Sequence, residues 1–185
     1  MRLENSFDVP APVEAAWGLL MDVPRIIPCM PGAKLDETVD DANWKATMNV
    51  KLGPISLTFA TDVKREEVDE ATRRAKLSAS AREARGRGNA QATIESSLVS
   101  QNGGTRVDIV TDLALSGAVA QYGRGIVADV SSQLVTKFAD CLKAQLAASP
   151  EEAQAAVAAQ ARPVGGLRLG AGALWRAFVR LFRRG

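Results

Sequence analysis

Histidine is absent from the 185 residues. Its absence removes Ser–His and Cys–His nucleophilic catalysis, the commonest proton shuttle near neutral pH and the commonest metal ligand. There are two cysteines, Cys29 and Cys141, at a spacing that fits no metal or redox motif. They read as buried small hydrophobes carrying reduced thiols, in keeping with a cytosolic protein. No glycine loop of the Walker or Rossmann type occurs. No run approaches the ~20 apolar residues of an ordinary transmembrane helix. The start, "MRLENSFDVPAP", lacks the apolar centre of a secretory leader, so none is expected.

What is present is one domain's worth of patterned sequence followed by a tail of different character. The net charge of +2 is unevenly spread. Beyond residue 150 lie six arginines (162, 168, 176, 180, 183 and 184) against Glu151 and Glu152, while the rest has a slight excess of acid. A basic tail on a near-neutral domain points to an electrostatic address, and not to a nucleic-acid-binding domain.

The tail ends "GALWRAFVRLFRRG". At about 100° per residue, Leu174, Trp175, Phe178, Leu181 and Phe182 fall on one arc, with Arg176, Arg180, Arg183 and Arg184 opposite. Such a helix suits an anionic membrane surface or a greasy groove on another protein; arginines filling the polar face favour the membrane. From Leu169 to Arg184 it would be ~24 Å long and would lie in the interface without crossing. Residues 148–166, rich in alanine and glutamine and ending in Pro163, Gly165 and Gly166, read as a tether reaching at most ~65 Å. The expected organisation is therefore a domain over 1–147, a tether over 148–166 and an amphipathic basic helix over 167–185.

Within the domain, "RLENSFDV" alternates and predicts a first strand with Leu3, Asn5 and Phe7 on one side. Val13, Ala16, Trp17 and Leu20 then recur at helical spacing behind a proline start. "VPRIIPCMPG" holds three prolines and predicts a shaped loop with at most a short helix. A series of period-two segments follows. Trp44, Ala46, Met48, Val50 and Leu52 share one face, then Ile55, Leu57, Phe59 and Val63 after a Gly53-Pro54 turn. Next come Ala75, Leu77, Ala79 and Ala81, then Ala90, Ala92, Ile94 and Leu98, then, past an Asn102–Gly104 hairpin turn, Val107, Ile109, Leu113 and Leu115. One greasy and one wet face make this an antiparallel meander. From about Ala118 to Leu146 the period turns helical, with Val119, Tyr122, Ile126, Val130, Leu134, Phe138, Cys141 and Leu142 on one face. That helix must cover the sheet. Five inward alanines, together with Gly123 and Gly125, mean either close backbone packing or a hollow with room at its mouth.

This order of elements resembles the helix-grip fold of the START-like (SRPBCC) superfamily. "FDVPAPVEAAWGLLMDVPRIIPCMPGA", "GPISLTF" and "GAVAQYGRGIVADVSSQLVTKFADCL" narrow the resemblance to the CoxG family, the G subunit of carbon monoxide dehydrogenase, over residues 1 to about 147. The tail looks like the membrane-targeting extension of some members. The resemblance implies an α+β fold, a curved antiparallel sheet wrapped on a long C-terminal helix. It implies an accessory protein that recruits a molybdenum hydroxylase of the carbon monoxide dehydrogenase type to the cytoplasmic face of the membrane. It also implies a cavity for a hydrophobic small molecule, with respiratory quinone the attractive candidate. No residue set here could hold molybdenum, flavin or an iron–sulfur cluster, and no metal or catalytic residue is assigned.

On this reading Met30, Met48, Phe59, Leu77, Ala92, Leu113, Tyr122 and Ile126 would contact the ligand. Met30 and the proline loop would gate the mouth, and the Tyr122 hydroxyl would reach a quinone carbonyl. Arg124 reads as solvated, and "REARGRG" at 82–88 as a solvated turn, with a docking patch as the second reading. Two alternatives remain: an enzyme using Tyr122 with Glu14 or Asp129 inside the cavity, and an assembly or tethering factor without ligand.

Overall fold

The computed structural model describes residues 1–52 and 55–147. The Gly53-Pro54 turn, the tether over 148–166 and the amphipathic segment over 167–185, with every membrane-facing residue expected from Leu174 to Arg184, lie outside the described residues.

Strand β1 (Arg2–Val9) is followed by helices α1 (Val13–Met21) and α2 (Val23–Ile26) and a 3-10 turn at Ile27–Cys29. Six strands come next: β2 (Ala33–Thr38), β3 (Asn43–Leu52), β4 (Ile55–Asp69), β5 (Arg74–Glu83), β6 (Gly88–Gln101) and β7 (Gly104–Gly117). A second 3-10 segment, Ala118–Tyr122, leads into helix α3 (Gly123–Ala147). The strands form one curved antiparallel sheet in the order β1-β7-β6-β5-β4-β3-β2. The first strand closes one edge against the last, so the chain must cross the whole sheet to begin β2 at the other edge. Helices α1 and α2 make that crossing, and α3 runs back over the same face.

The alternation read from the sequence holds strand by strand. In β6 and β7 the register sets Ala92 opposite Leu113 and Leu98 opposite Val107. The hairpin at Asn102-Gly103 has both residues at positive φ, as a tight two-residue turn between right-twisted strands requires. Two boundaries differ from the expectation. Strand β2, "AKLDET", is too short and too charged to show a period, yet it pairs with β3 from Ala33↔Met48 onward. Strand β4 runs on through "KREEVD" to Asp69, because β5 keeps pairing with it as far as Asp69↔Arg74 whatever the side chains are, although β3 pairs no further than Lys64.

The long helix is shorter than its periodicity. Gly123, at φ 77 and ψ 157, sits in a region essentially reserved for glycine, and no α-helix passes through it. Val119 and Tyr122 therefore belong to the 3-10 segment before α3 and not to its stripe. The apolar face of α3 turns accordingly. Val127, Val130, Ser131 and Leu134 face the sheet, while Ile126 is 46% exposed.

Apolar packing is concentrated at two ends. At one, Trp17, Leu20, Leu98, Val107, Phe138 and Leu142 form a continuous cluster. At the other, Leu57, Phe59 and Val119 form a smaller one. The expectation of two reduced thiols is corrected here. Cys29 and Cys141, both buried, are joined by a disulfide that ties the proline loop to the C-terminal half of α3 across a sequence separation of 112. Closing a loop of that length stabilises by on the order of 4 kcal/mol in the chain-entropy picture. Buried Gln145 reinforces the tie. Its Nε2 donates to the Arg25 carbonyl at 3.4 Å and lies 3.0 Å from Cys29 Sγ, and its Oε1 accepts from Arg25 Nε at 3.1 Å.

The two glycines at the start of α3 separate the two readings of the sequence. A Cβ built on Gly125 meets nothing within 4 Å, nor does one on Gly123, so close backbone packing is not what they serve. Gly125→Ala should therefore stabilise by about 0.5–1 kcal/mol. Gly123→Ala should cost about 1–3 kcal/mol through its backbone angles alone. Urea denaturation of the two variants checks this; a destabilised Gly125→Ala would restore the close-packing account.

Candidate functional site

Between the two packed ends, sheet and helices enclose a cavity of about 480 Å³. Its floor is made by inward positions at the centre of the sheet, and those are small. Ala79 of β5 pairs with Ala92 of β6, and Ala81 with Ala90. Four adjacent alanines leave a depression where larger side chains would have met α3. The roof is the Val127–Leu134 face of α3, continuing to Phe138. One wall is the α2–proline loop segment, through Val23, Ile26, Ile27 and Met30. Gly32, just after Met30, lies so close to β3 that a Cβ would stand 2.2 Å from the Asn49 carbonyl oxygen, and this holds the loop hard against the sheet edge.

Of the residues expected to contact a ligand, Met30, Met48, Phe59, Leu77, Ala92 and Leu113 line the cavity. Tyr122 does not. It packs half-buried on the outside of the Leu57–Phe59–Val119 cluster, because the break at Gly123 removes it from the helix face. Ile126 is turned to solvent for the same reason. The constellation considered for catalysis is not assembled: Glu14 and Asp129 are exposed, and neither they nor Tyr122 line the cavity. Arg124 is exposed as well.

The polar groups in the lining are few. Ser96 donates to the Ala75 carbonyl at 3.4 Å, and Ser131 accepts from Asn5 at 3.5 Å. The Thr61 hydroxyl is buried with no hydrogen-bond partner among the described residues. Its cross-strand neighbours are Ala46 and Ala81, which have nothing to offer it. Arg65 is the one charged side chain in the lining among the described residues. It is absent from the ligand contacts expected from the sequence, although its phase with Leu57, Phe59 and Val63 on β4 was the available signal: an arginine at an inward strand position.

Elsewhere the ionisable groups serve the scaffold. Glu83 is buried below the "REARGRG" turn, where its carboxylate accepts from the main-chain N–H of Arg87 at 3.0 Å and of Arg85 at 2.8 Å. The Arg87 N–H first, with Arg85 and both guanidinium charges behind it, holds that carboxyl below the usual range against the opposing effect of burial. A shallow concavity of about 580 Å³ on the outer sheet face is lined by Lys45, Asp62, Lys64, Ser80 and Gln91. These are exposed, outward residues and offer nothing to an apolar molecule. Among the described residues no acidic, histidine or cysteine cluster could hold a metal ion, and no helix is long and apolar enough to cross a membrane.

The unpaired hydroxyl gives a direct test of how dry this cavity is. An unsatisfied buried polar group is costly, and replacing it with a group of the same shape removes the cost. Thr61→Val should stabilise ligand-free protein by about 1 kcal/mol. A loss of stability in urea unfolding would show that Thr61 is hydrogen-bonded in solution.

The fold has many solved counterparts. A conserved protein from Geobacillus kaustophilus matches with a TM-score of 0.70 at 21% identity, covering 80% of this chain and 95% of that one. The ZhuI aromatase/cyclase from Streptomyces sp. R1128 matches with a TM-score of 0.56 at 14% identity, covering 90% and 99%. A START superfamily protein from Mycobacterium smegmatis matches with a TM-score of 0.52 at 14% identity, covering 78% and 96%. At these identities the likeness shows a START-like, helix-grip fold and nothing finer. No curated protein matches. The family model for the G subunit of carbon monoxide dehydrogenase (CoxG) matches residues 6–147, which is the sheet with its helices and the disulfide-tied loop. The chain belongs to the CoxG family of carbon monoxide dehydrogenase subunits.

Proposed function

We propose that this protein is a hydrophobic-ligand carrier, most simply for a respiratory quinone, that brings its ligand together with a molybdenum hydroxylase of the carbon monoxide dehydrogenase type at a membrane surface. The observation that carries the reading is the cavity: about 480 Å³, floored by alanines, roofed by aliphatic side chains and almost without hydrogen-bonding groups. Pockets of roughly 300–1,000 Å³ with such linings take drug-sized apolar molecules. A quinone ring and the first part of its chain suit that volume; the remainder of a long chain would lie outside it. Exposing isoprenoid chain to water costs ~0.8 kcal/mol per CH₂, which an apolar sleeve avoids. Redox chemistry would belong to the quinone and the partner enzyme. This chain would supply enclosure and orientation.

Family membership supports the link to carbon monoxide dehydrogenase and an accessory role over an enzymatic one. One similar structure is an aromatase/cyclase, so the fold alone is compatible with catalysis, but among the described residues no acid–base group accompanies the hydroxyls of this cavity. Recruitment to the inner face of the cell membrane rests on the sequence of the tail, with Trp175, Phe178 and Phe182 inserting and the arginines sensing anionic headgroups.

Organic extraction and mass spectrometry of freshly purified protein should release an isoprenoid quinone. Ala92→Phe, which fills the alanine floor, should abolish that yield while leaving the circular dichroism of the domain unchanged. No extractable lipid from wild type, together with an Ala92→Phe variant destabilised by the ~1–3 kcal/mol of overpacking, would withdraw the carrier reading.

The anchoring arm has its own test. The full-length protein should float with liposomes containing anionic lipid, and less so at high salt. Changing Trp175, Phe178 and Phe182 to Ser should abolish flotation at any salt. Changing Arg176, Arg180, Arg183 and Arg184 to Gln should weaken it and remove its salt dependence. A full-length protein that ignores liposomes, while the isolated tail binds the hydroxylase tightly, would assign the tail to a protein groove instead.

A further inference from the structure

The cavity has one end that is not apolar. Arg65 lines it from β4, between the C-terminus of α1 and the β2–β3 turn. Its side chain is half-buried and held from three sides. Nη1 donates to the Met21 carbonyl at 3.2 Å, Nη2 donates to the Asp41 carbonyl, and the guanidinium lies 5.4 Å from the centre of the buried Trp44 ring. Register between β4 and β5 shifts between Arg65 and Glu67, a bulge of the kind that re-aims a side chain at the end of a ladder.

No carboxylate pairs with Arg65 among the described residues. A guanidinium has five N–H donors, and two are engaged by the main-chain carbonyls. A cation with donors to spare, fixed in place and bordering an otherwise uncharged and largely apolar space, is complementary to one chemistry: a lipophilic molecule whose polar head carries an acceptor oxygen. Hydrogen bonds to a charged donor are stronger than neutral ones, and a low-dielectric surround strengthens them further. The hydroxyls of Thr61, Ser96, Thr111 and Ser131 also line the cavity, but they carry no charge to draw a head group.

We infer that Arg65 is the specificity-determining residue of this cavity, fixing the ligand's orientation by hydrogen-bonding the acceptor oxygen of its head group and leaving the apolar part over the alanine floor. This rests on the carrier reading and deepens it, since it names which end of the cavity reads the head and which atom class is read.

The test uses the full-length protein and two matched probes, 2-methyl-1,4-naphthoquinone, which has the oxygens, and 2-methylnaphthalene, which lacks them. Wild type should bind the quinone more tightly. Arg65→Met should weaken the quinone about 10- to 100-fold, the range expected for a charge-assisted hydrogen bond. It should leave the hydrocarbon within about twofold. Arg65→Lys, which keeps the cation and loses the fork, should fall between. Equal weakening of both probes, or of neither, overturns the role of Arg65 while leaving the cavity as a hydrophobic site. Wild type binding neither probe overturns the carrier reading and Arg65's role with it. Because Arg65 also tethers α1 to the β2–β3 turn and its variants could unfold, a crystal structure of wild type with the naphthoquinone provides an independent arm. A carbonyl oxygen within hydrogen-bond reach of the guanidinium is expected, and one placed elsewhere in the cavity overturns the assignment.

Discussion

Everything distinctive here depends on one steric constraint: at the centre of the sheet, where a helix would ordinarily interlock with large side chains, β5 and β6 present Ala79, Ala81, Ala90 and Ala92. A long helix is rigid, and it is supported at both ends by clusters that do interlock, around Phe138 and Leu142 at one and around Val119 just before it at the other. It cannot sag onto the floor between them. Dense packing, the default of protein interiors, is thus forgone over the middle of the domain, and the hollow is set by geometry and not by local disorder.

The same constraint explains why the domain is strengthened elsewhere. A hollow core contributes less burial than a filled one of the same length. The Cys29–Cys141 disulfide, Gln145 bridging the proline loop, and the buried Glu83 holding its turn all lie outside the cavity floor and fasten the parts that frame it. The loop is the sharpest case. Pinned through Cys29 to α3 and pressed through Gly32 against β3, it cannot swing as a free flap, so Met30 at the cavity wall sits on a fixed segment.

Helix-grip proteins of similar architecture include a cyclase and proteins of no stated activity, so the shape does not name the chemistry. The chemistry open to this chain is limited by the make-up of its lining. Histidine is lacking throughout, the acids nearest in sequence are turned outward, and the one charged group at the cavity among the described residues is an arginine engaged with main-chain carbonyls. Such a lining is suited to an apolar molecule.

Six of the seven strands, their inward faces and the antiparallel meander were legible along the chain, because alternation with period two is a local property that survives any tertiary arrangement. Phase also set Met48, Phe59, Leu77, Ala92 and Leu113 on the inward face, but that they and Met30 of the proline loop border a hollow was implied only by the family resemblance. Other features were not local. β2 and the end of β4 exist because neighbouring strands pair with them. The helix break at Gly123, which excludes Tyr122 and Ile126 from the cavity, turns on a backbone angle that periodicity does not register. Cys29 and Cys141 look unrelated along the chain and are brought to bonding distance by the crossing of α1 and α2. Whether alanines and glycines meant tight packing or a void was undecidable from composition, since both need small residues. Only the distance between helix and sheet, set by what packs at their ends, decides it.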